Sequence, residues 1–250
     1  MRFKKIRVAL SFLTSLPIPI STEVSPEDFG RAGGWFPVVG LLIGGLLALV
    51  SWGSSQVFAP LVSGVLVTAA WALLTGGLHL DGLADSCDGL FAEAHVERRL
   101  EIMKDPRLGA FGAIGLVLTL MLKTALAADL AQRGLWLAFP LAASLGRWVL
   151  LAAARQPSAR PGGLGDAFGR GVRSWQVILS AGIPLGLLVW SWMGAHSAPG
   201  ALIGTGLALL TGMGIVAAAR IRLGGLTGDV YGMLVEWVEL AVLLGMALHF

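Results

Sequence analysis

Apolar residues dominate seven stretches of this chain, and the polar residues gather in the segments between them. The stretches cover 35–52, 57–78, 110–131, 135–154, 175–195, 200–219 and 232–250. Each comes near the ~20 residues that an α-helix needs to cross a hydrocarbon core. Buried helices of a large soluble protein would need polar helical faces to cover them, and the sequence does not supply those faces. Ahead of the first stretch, residues 1–20 have a basic start (Arg2, Lys4, Lys5, Arg7) followed by apolar positions. No small-x-small cleavage site precedes Pro17 and Pro19, so this segment reads as an uncleaved amphipathic helix on the cytoplasmic membrane surface.

The cationic residues test the threading. With the N-terminus inside and seven spans, the inner segments carry Arg2, Lys4, Lys5, Arg7 and Arg31, then Arg98, Arg99, Lys104 and Arg107. Arg155, Arg160, Arg170 and Arg173 follow, and finally Arg220 and Arg222. Outside there is only Arg133, while Lys123 and Arg147 fall within spans. Such asymmetry is the signature of a cytoplasmic N-terminus. The outer connections, 53–56, 132–134 and 194–199, are short, so chemistry belongs on the cytoplasmic side.

Composition agrees. Of 250 residues, 56% are hydrophobic and 13% charged, against about 25% charged in soluble domains. The net charge of +3 follows membrane topology and does not point to nucleic acid. Cys87 is the single cysteine, which excludes an intramolecular disulfide and a cysteine-dominated zinc site. Glycine, at 35 residues, lets helices pack closely in lipid, as at Gly40, Gly44 and Gly45. The expected architecture is all-α: one integral membrane domain over 1–250, with about seven transmembrane helices and an N-terminal interfacial helix.

The most informative stretch, Gly76 to Gly89, reads GGLHLDGLADSCDG. Asp81, Asp85 and Asp88 fall at i, i+4 and i+7, within about 60° of one another on a helix. Three like charges on one stripe repel, and a bound divalent cation relieves the conflict. Carboxylate oxygen is the hard donor that magnesium prefers, often together with substrate phosphates. A solvated helix end with aligned acids is the plainer alternative. Zinc is disfavoured, since His79 falls on the opposite helical face.

Downstream, RRLEIMKDPRLGAFG places Arg98, Arg99, Lys104 and Arg107 beside this acidic stretch, with Asp105 at the turn. Such cations hold phosphate oxygens, or simply keep the loop inside. A second glycine-rich loop, RLGGLTGDVYG, runs from Arg222 through Asp229 into a span holding Glu236 and Glu239. Carboxylates within a span usually face the bundle interior and mark function. Buried pairing of these acids with Arg147 is the structural alternative, and both readings turn them inward. Residues 155–173, rich in Gly, Pro and Arg, read as a mobile substrate-facing loop in which Arg160 and Asp166 are contact candidates. His95, His196 and His249 read as surface or interfacial residues.

Asp85-x-x-Asp88-Gly89-x-x-Ala92 is similar to the opening half of the CDP-alcohol phosphotransferase signature. Glu93 stands where that family has arginine, and the later Gly-x-x-x-Asp-x-x-x-Asp half is absent. Taken together, HLDGLADSCDG, RRLEIMKDPRLGAFGAIGL and the late GGLTGDVYG with its two glutamates resemble the cobalamin synthase (adenosylcobinamide-GDP ribazoletransferase) family over most of the chain. The resemblance implies joining of adenosylcobinamide-GDP to α-ribazole or its 5′-phosphate. GMP is released, and adenosylcobalamin or its phosphate forms. It implies a bacterial inner-membrane enzyme that uses magnesium at a CDP-alcohol-phosphotransferase-like site. Carried over, Asp81, Asp85 and Asp88 match the acidic motif, Lys104 and Asp105 the KD element, and Asp229, Glu236 and Glu239 the C-terminal element.

The expected metal ligands are therefore Asp81, Asp85 and Asp88, and the expected catalytic groups Asp88, Asp85, Lys104 and Asp105. Arg98, Arg99, Arg107, Arg147, Arg222, Asp229, Glu236 and Glu239 are expected to contact substrate. The partners are the two substrates and the bilayer; homo-oligomerisation is left open. The rivals are a phosphotransferase acting on lipid and an ion-coupled secondary transporter, although the sequence lacks the paired halves common in transporters.

Overall fold

The computed structural model describes residues 2–20, 24–193 and 198–249. His196 and the expected boundaries at 1, 195 and 250 lie outside the described residues. Among those described, the regular elements are helices, with one isolated parallel bridge between Ser158 and Leu226. In chain order they are α1 (Arg2–Leu13), α2 (Pro26–Ala32), α3 (Phe36–Ser55), α4 (Pro60–Thr75), α5 (Leu78–Phe91), α6 (Val96–Ile102) and α7 (Ala110–Gln132). Then come α8 (Ala138–Ala153), α9 (Leu164–Gly171), α10 (Ser174–Ser180), α11 (Gly182–Met193), α12 (Ala198–Leu223) and α13 (Gly228–Met246).

Among the described residues, four helical stretches are long and apolar enough to cross a membrane: Asp28–Ser55, Ala110–Gln132, Ser174–Met193 and Ala198–Leu223. The bent pair α4–α5 makes a fifth if its two helices count as one span. Length and composition thus support four or five of the seven expected spans. The other two differ for physical reasons. α8 has only 16 residues, and α13 carries Asp229, Glu236 and Glu239 within its 19. Both are buried on nearly every face, as helices enclosed by other helices are. The remaining helices surround them and expose Leu49, Leu73, Met121, Val189 and Leu210.

Small residues set the close contacts. A Cβ on Gly40 or Gly44 of α3 would strike the α8 backbone at Ala143 or Pro140, and one on Gly245 of α13 would strike Gly204 of α12. Helices that gain little from hydrophobic exclusion in lipid associate through such backbone proximity.

The break between α4 and α5 has a local cause. Gly76 and Gly77 both adopt left-handed backbone, with φ of 62° and 71°, a conformation that glycine alone enters without steric penalty. Their N–H groups close the end of α4 on Leu73 O (3.2 Å) and Ala72 O (3.0 Å). The chain then turns by 92° into α5. The apolar stretch 57–78 therefore ends earlier than expected, at Thr75, with Leu78 already opening α5, and the acidic stripe rides on a separately aimed helix.

The N-terminal helix is shorter than residues 1–20 suggested. It buries Val8, Ala9 and Leu13, and Lys4 pairs with Asp28 of α2 at 2.7 Å. The expected loop over 155–173 also differs: it contains α9, whose Phe168 is buried. Gly30 of α2 brings its backbone against Gly171 at the end of that helix.

Candidate active site

One end of the bundle gathers α1, α2, the start of α3, α5, the loop after α8, α9 and the start of α13 around a cavity of about 290 Å3. α5 and α13 cross here because both present glycine at the crossing. A Cβ on Gly82 would lie 2.7 Å from Asp229 O, and one on Gly232 would lie 2.9 Å from His79 O. That approach brings the α5 aspartates to Asp229 of the first turn of α13.

The three α5 carboxylates do not share one environment. Asp81 is exposed, Asp85 half-buried and Asp88 buried. Asp88 Oδ2 accepts the N–H of Gly109 at 2.8 Å, and Oδ1 that of Gly112 at 2.9 Å. A carboxylate at a helix N-terminus satisfies orphan N–H groups and complements the helix dipole, so Asp88 clamps α7. The side chains of Asp81 and Asp85 make no hydrogen bond or ion pair among the described residues. Asp85 lies within electrostatic reach of Asp229, Asp81, Asp88 and Arg160. Negative charge therefore exceeds positive charge at this end of the cleft.

Arg160 provides the nearby countercharge. Its Nη1 donates to Asp229 Oδ2 at 2.9 Å and its Nη2 to Leu100 O at 3.0 Å. Thr227 Oγ1 sits 3.3 Å from the same Asp229 oxygen. The loop carrying Arg160 is held in place by Ala159 N to Leu226 O (2.9 Å) and Leu226 N to Pro157 O (2.8 Å).

The remaining expected site residues fall into two further groups. In the first, Arg99 and Arg222 neutralise the C-terminal end of α5. Arg99 donates to Gly89 O and Leu90 O at 3.0 and 2.8 Å, and Arg222 to Leu90 O at 2.7 Å. Arg98 pairs with Glu101 at 2.8 Å. Asp105 is held by Arg107 at 2.6 Å, and the hydrogen bonds from the Arg107 side chain and backbone hold its carboxyl down at about 2. Lys104 is exposed on the same loop.

The second group is buried away from the cleft. Lys123 of α7 donates to Glu236 at 2.7 Å and to Glu239 at 2.6 Å. Glu239 also pairs with Arg147 of α8, and Lys123 Nζ stands 4.1 Å from the centre of the Trp71 ring. Two acids and two bases thus balance inside the bundle. The pairing weighed for Arg147 is present, and Lys123 is the partner that sequence reasoning noted only as lying in a span. Two intramembrane acids facing a single arginine were the available signal for a second cation. Arg160 entered only as a weak contact candidate. His79, placed on the far face of α5 from the acids, lines the cavity, because that face is also enclosed.

Among the described residues, no three His, Cys, Asp or Glu side chains converge closely enough to ligate one ion. Magnesium, however, commonly takes one or two protein carboxylates and completes its shell with phosphate oxygens and water. Asp81 and Asp85, one turn apart with free oxygens, fit that donor set.

The chain matches the family model described as cobalamin-5-phosphate synthase over residues 5–247. It is 39% identical to the adenosylcobinamide-GDP ribazoletransferase of Roseiflexus sp. (strain RS-1), covering 96% of this chain and 88% of that protein. Proteins of the same name from Stutzerimonas stutzeri and Pseudomonas aeruginosa are each 42% identical; the alignments cover 97% of both chains for the first and 98% of both for the second. No solved structure matches the chain.

Proposed function

This chain belongs to the cobalamin-5-phosphate synthase family, and from that premise we propose how its cleft joins adenosylcobinamide-GDP to ribazole. A ribazole hydroxyl oxygen forms a bond to the phosphorus that carries the cobinamide. The bond from that phosphorus to the GMP oxygen breaks, and GMP leaves. The hydroxyl proton passes to a carboxylate of the Asp81–Asp85 pair. Asp88, expected to take that proton, instead positions the start of α7, since both its oxygens already accept N–H groups.

The observation that carries this reading is a pair of unpartnered carboxylates beside Arg160 and Asp229: Asp81 lines a cavity of nucleoside size, and Asp85 stands one turn further along α5, within electrostatic reach of both. Magnesium bound at Asp81 and Asp85 would supply charge neutralisation for a diphosphate. Arg160 orients the phosphate-bearing substrate from the loop side. Lys104, Arg98 and Arg107 lie on α6 and the connection into α7, outside the cavity lining, and from there they raise the local concentration of a polyanion.

The same reading sets the topology. Counting α8, α13 and the bent α4–α5 pair as crossings restores seven spans. In this reading the cavity end, which lies with the segments rich in Lys and Arg, opens to the cytoplasmic side of a bacterial inner membrane with the N-terminus inside; the positive-inside bias supports that orientation. Purified protein in lipid nanodiscs should release GMP from adenosylcobinamide-GDP only when ribazole and magnesium are both present. GMP release that ignores ribazole would refute the transfer, and release that survives chelation would refute the metal.

A further inference from the structure

The cavity beside the carboxylates is walled by aromatic rings from five separate helices: Phe12, Phe29, Phe36, Phe168 and Tyr231. The rings form one continuous set. Phe12 and Phe29 meet edge to face at 4.5 Å, Phe36 and Phe168 stack at 5.2 Å, and Phe168 meets Tyr231 at 6.2 Å. Charged groups lie on one side only, at Asp81, Asp229 and Arg160. His79 also lines the cavity. It is 3% exposed, and its Nε2 is buried with no hydrogen-bond partner among the described residues. Native structures rarely leave such an atom unpaired, and a small turn of the ring toward the cavity that His79 lines would give it a partner on a bound ligand.

Shape and chemistry narrow the occupant. About 290 Å3 falls near the lower end of small-molecule pockets, about 300–1,000 Å3. That volume accepts a nucleoside and excludes a corrin macrocycle with its side chains. Two bases take part in the reaction. Guanine presents two donors and an acceptor along one edge; the ring wall offers no matching set, and of the charged groups that could match it, Arg160 and Asp229 already pair with each other at 2.9 Å. Ribazole is a benzimidazole riboside, and its base is a flat, weakly polar bicycle with one free ring nitrogen. Aromatic rings hold such a base by stacking and edge contacts.

We propose that this ring-walled cavity is the subsite for the benzimidazole base of ribazole, with His79 Nε2 donating a hydrogen bond to its free ring nitrogen. The ribose then points to the side bearing Asp81 and Asp229, where its hydroxyl is presented to the carboxylates. The corrinoid and its GDP stay outside the ring wall. The assignment rests on the reaction proposed above, but its test separates the two.

Two measurements are made on the full chain in nanodiscs: equilibrium binding of ribazole alone and of GMP alone, and GMP release with each substrate varied in turn. Phe12→Leu and His79→Ala should each weaken ribazole binding and raise its KM about tenfold, the scale of one lost ring or hydrogen-bond contact. GMP binding and the KM for adenosylcobinamide-GDP should stay within about twofold, below the scale of a lost contact. Unchanged ribazole binding in both variants overturns the proposal, whether or not turnover survives. So does a selective loss of GMP binding, which would give the cavity to guanine. If the unaltered protein releases no GMP, the reaction fails on that result, and the ribazole-binding arm still decides the subsite.

Discussion

Asp88 accepts the backbone N–H of Gly112 at 2.9 Å, and with Gly109 at 2.8 Å it forms the N-terminal cap of α7. The glycines are part of the arrangement, because a Cβ at either position would press on that carboxylate. Asp88→Ala should therefore destabilise the fold by about 1–2 kcal/mol, the range for losing a helix cap or a buried hydrogen-bond acceptor. Thermal unfolding in detergent would read this. An unchanged melting temperature would contradict the capping role.

Asp85 has no such partner. Asp85→Asn should abolish GMP release while leaving membrane insertion and melting temperature near normal, because it removes repulsion among the acids and breaks no contact. The contrast with Asp88→Ala separates chemistry from architecture. Near-normal turnover in Asp85→Asn would end the role assigned to that carboxylate.

Lys123 is enclosed with both of its acids. Replacing it alone by Met leaves Glu236 and Glu239 short of a cation and should cost about 3–5 kcal/mol, as breaking buried pairs does. The double replacement Lys123→Met with Glu236→Leu should recover much of that loss, since an apolar substitute for a whole buried pair is often neutral. Denaturation of the three proteins in matched micelles gives the comparison.

Gly77, at φ 71°, ends the bend that aims α5. Gly77→Ala forces a side chain into left-handed backbone, at roughly 1–2 kcal/mol, and shifts the acidic stripe from Asp229. Turnover should fall by more than the loss of folded protein accounts for, measured as GMP release per folded molecule.

Acid sensitivity of the α6–α7 connection should follow Asp105. Its carboxyl is held at about 2, below the ordinary 3.8, by the hydrogen bonds from Arg107. A depressed carboxylate contributes stability above its unfolded value, and the contribution disappears as pH falls through the folded one. The pair is therefore intact at neutral pH and weakens only between about 3.8 and 2. Carbon NMR of a labelled Asp105 carboxyl would follow this. A midpoint near the ordinary value would show that the pair does not form in solution.

The legible part of this protein was whatever repeats along one helix. Apolar runs near span length located most helices, and the i, i+4, i+7 spacing put Asp81, Asp85 and Asp88 on one face of α5. Periodicity could not say that Asp88 would meet another helix end, because Gly109 and Gly112 are brought there by tertiary contact. The same limit left Arg160 as a contact candidate without a partner, since Asp229 lies 69 positions away. α8 and α13 read as ordinary spans, yet their enclosure by other helices allows one to be short and the other to carry acids. The aromatic wall was invisible for a related reason: its rings come singly from five helices, and no local pattern joins them.

The enclosed charges also bear on how the protein is made. Lys123 precedes Glu236 by 113 positions, so during synthesis α7 reaches the translocon long before its neutralising acids exist. A lone ammonium at the middle of a helix resists partition into lipid by roughly 2.5–3.5 kcal/mol. Early on, that helix must wait at the insertion machinery or lean on the Trp71 ring. Arrival of α13 then supplies the missing carboxylates, so a helix translated late commits an earlier one to the bilayer.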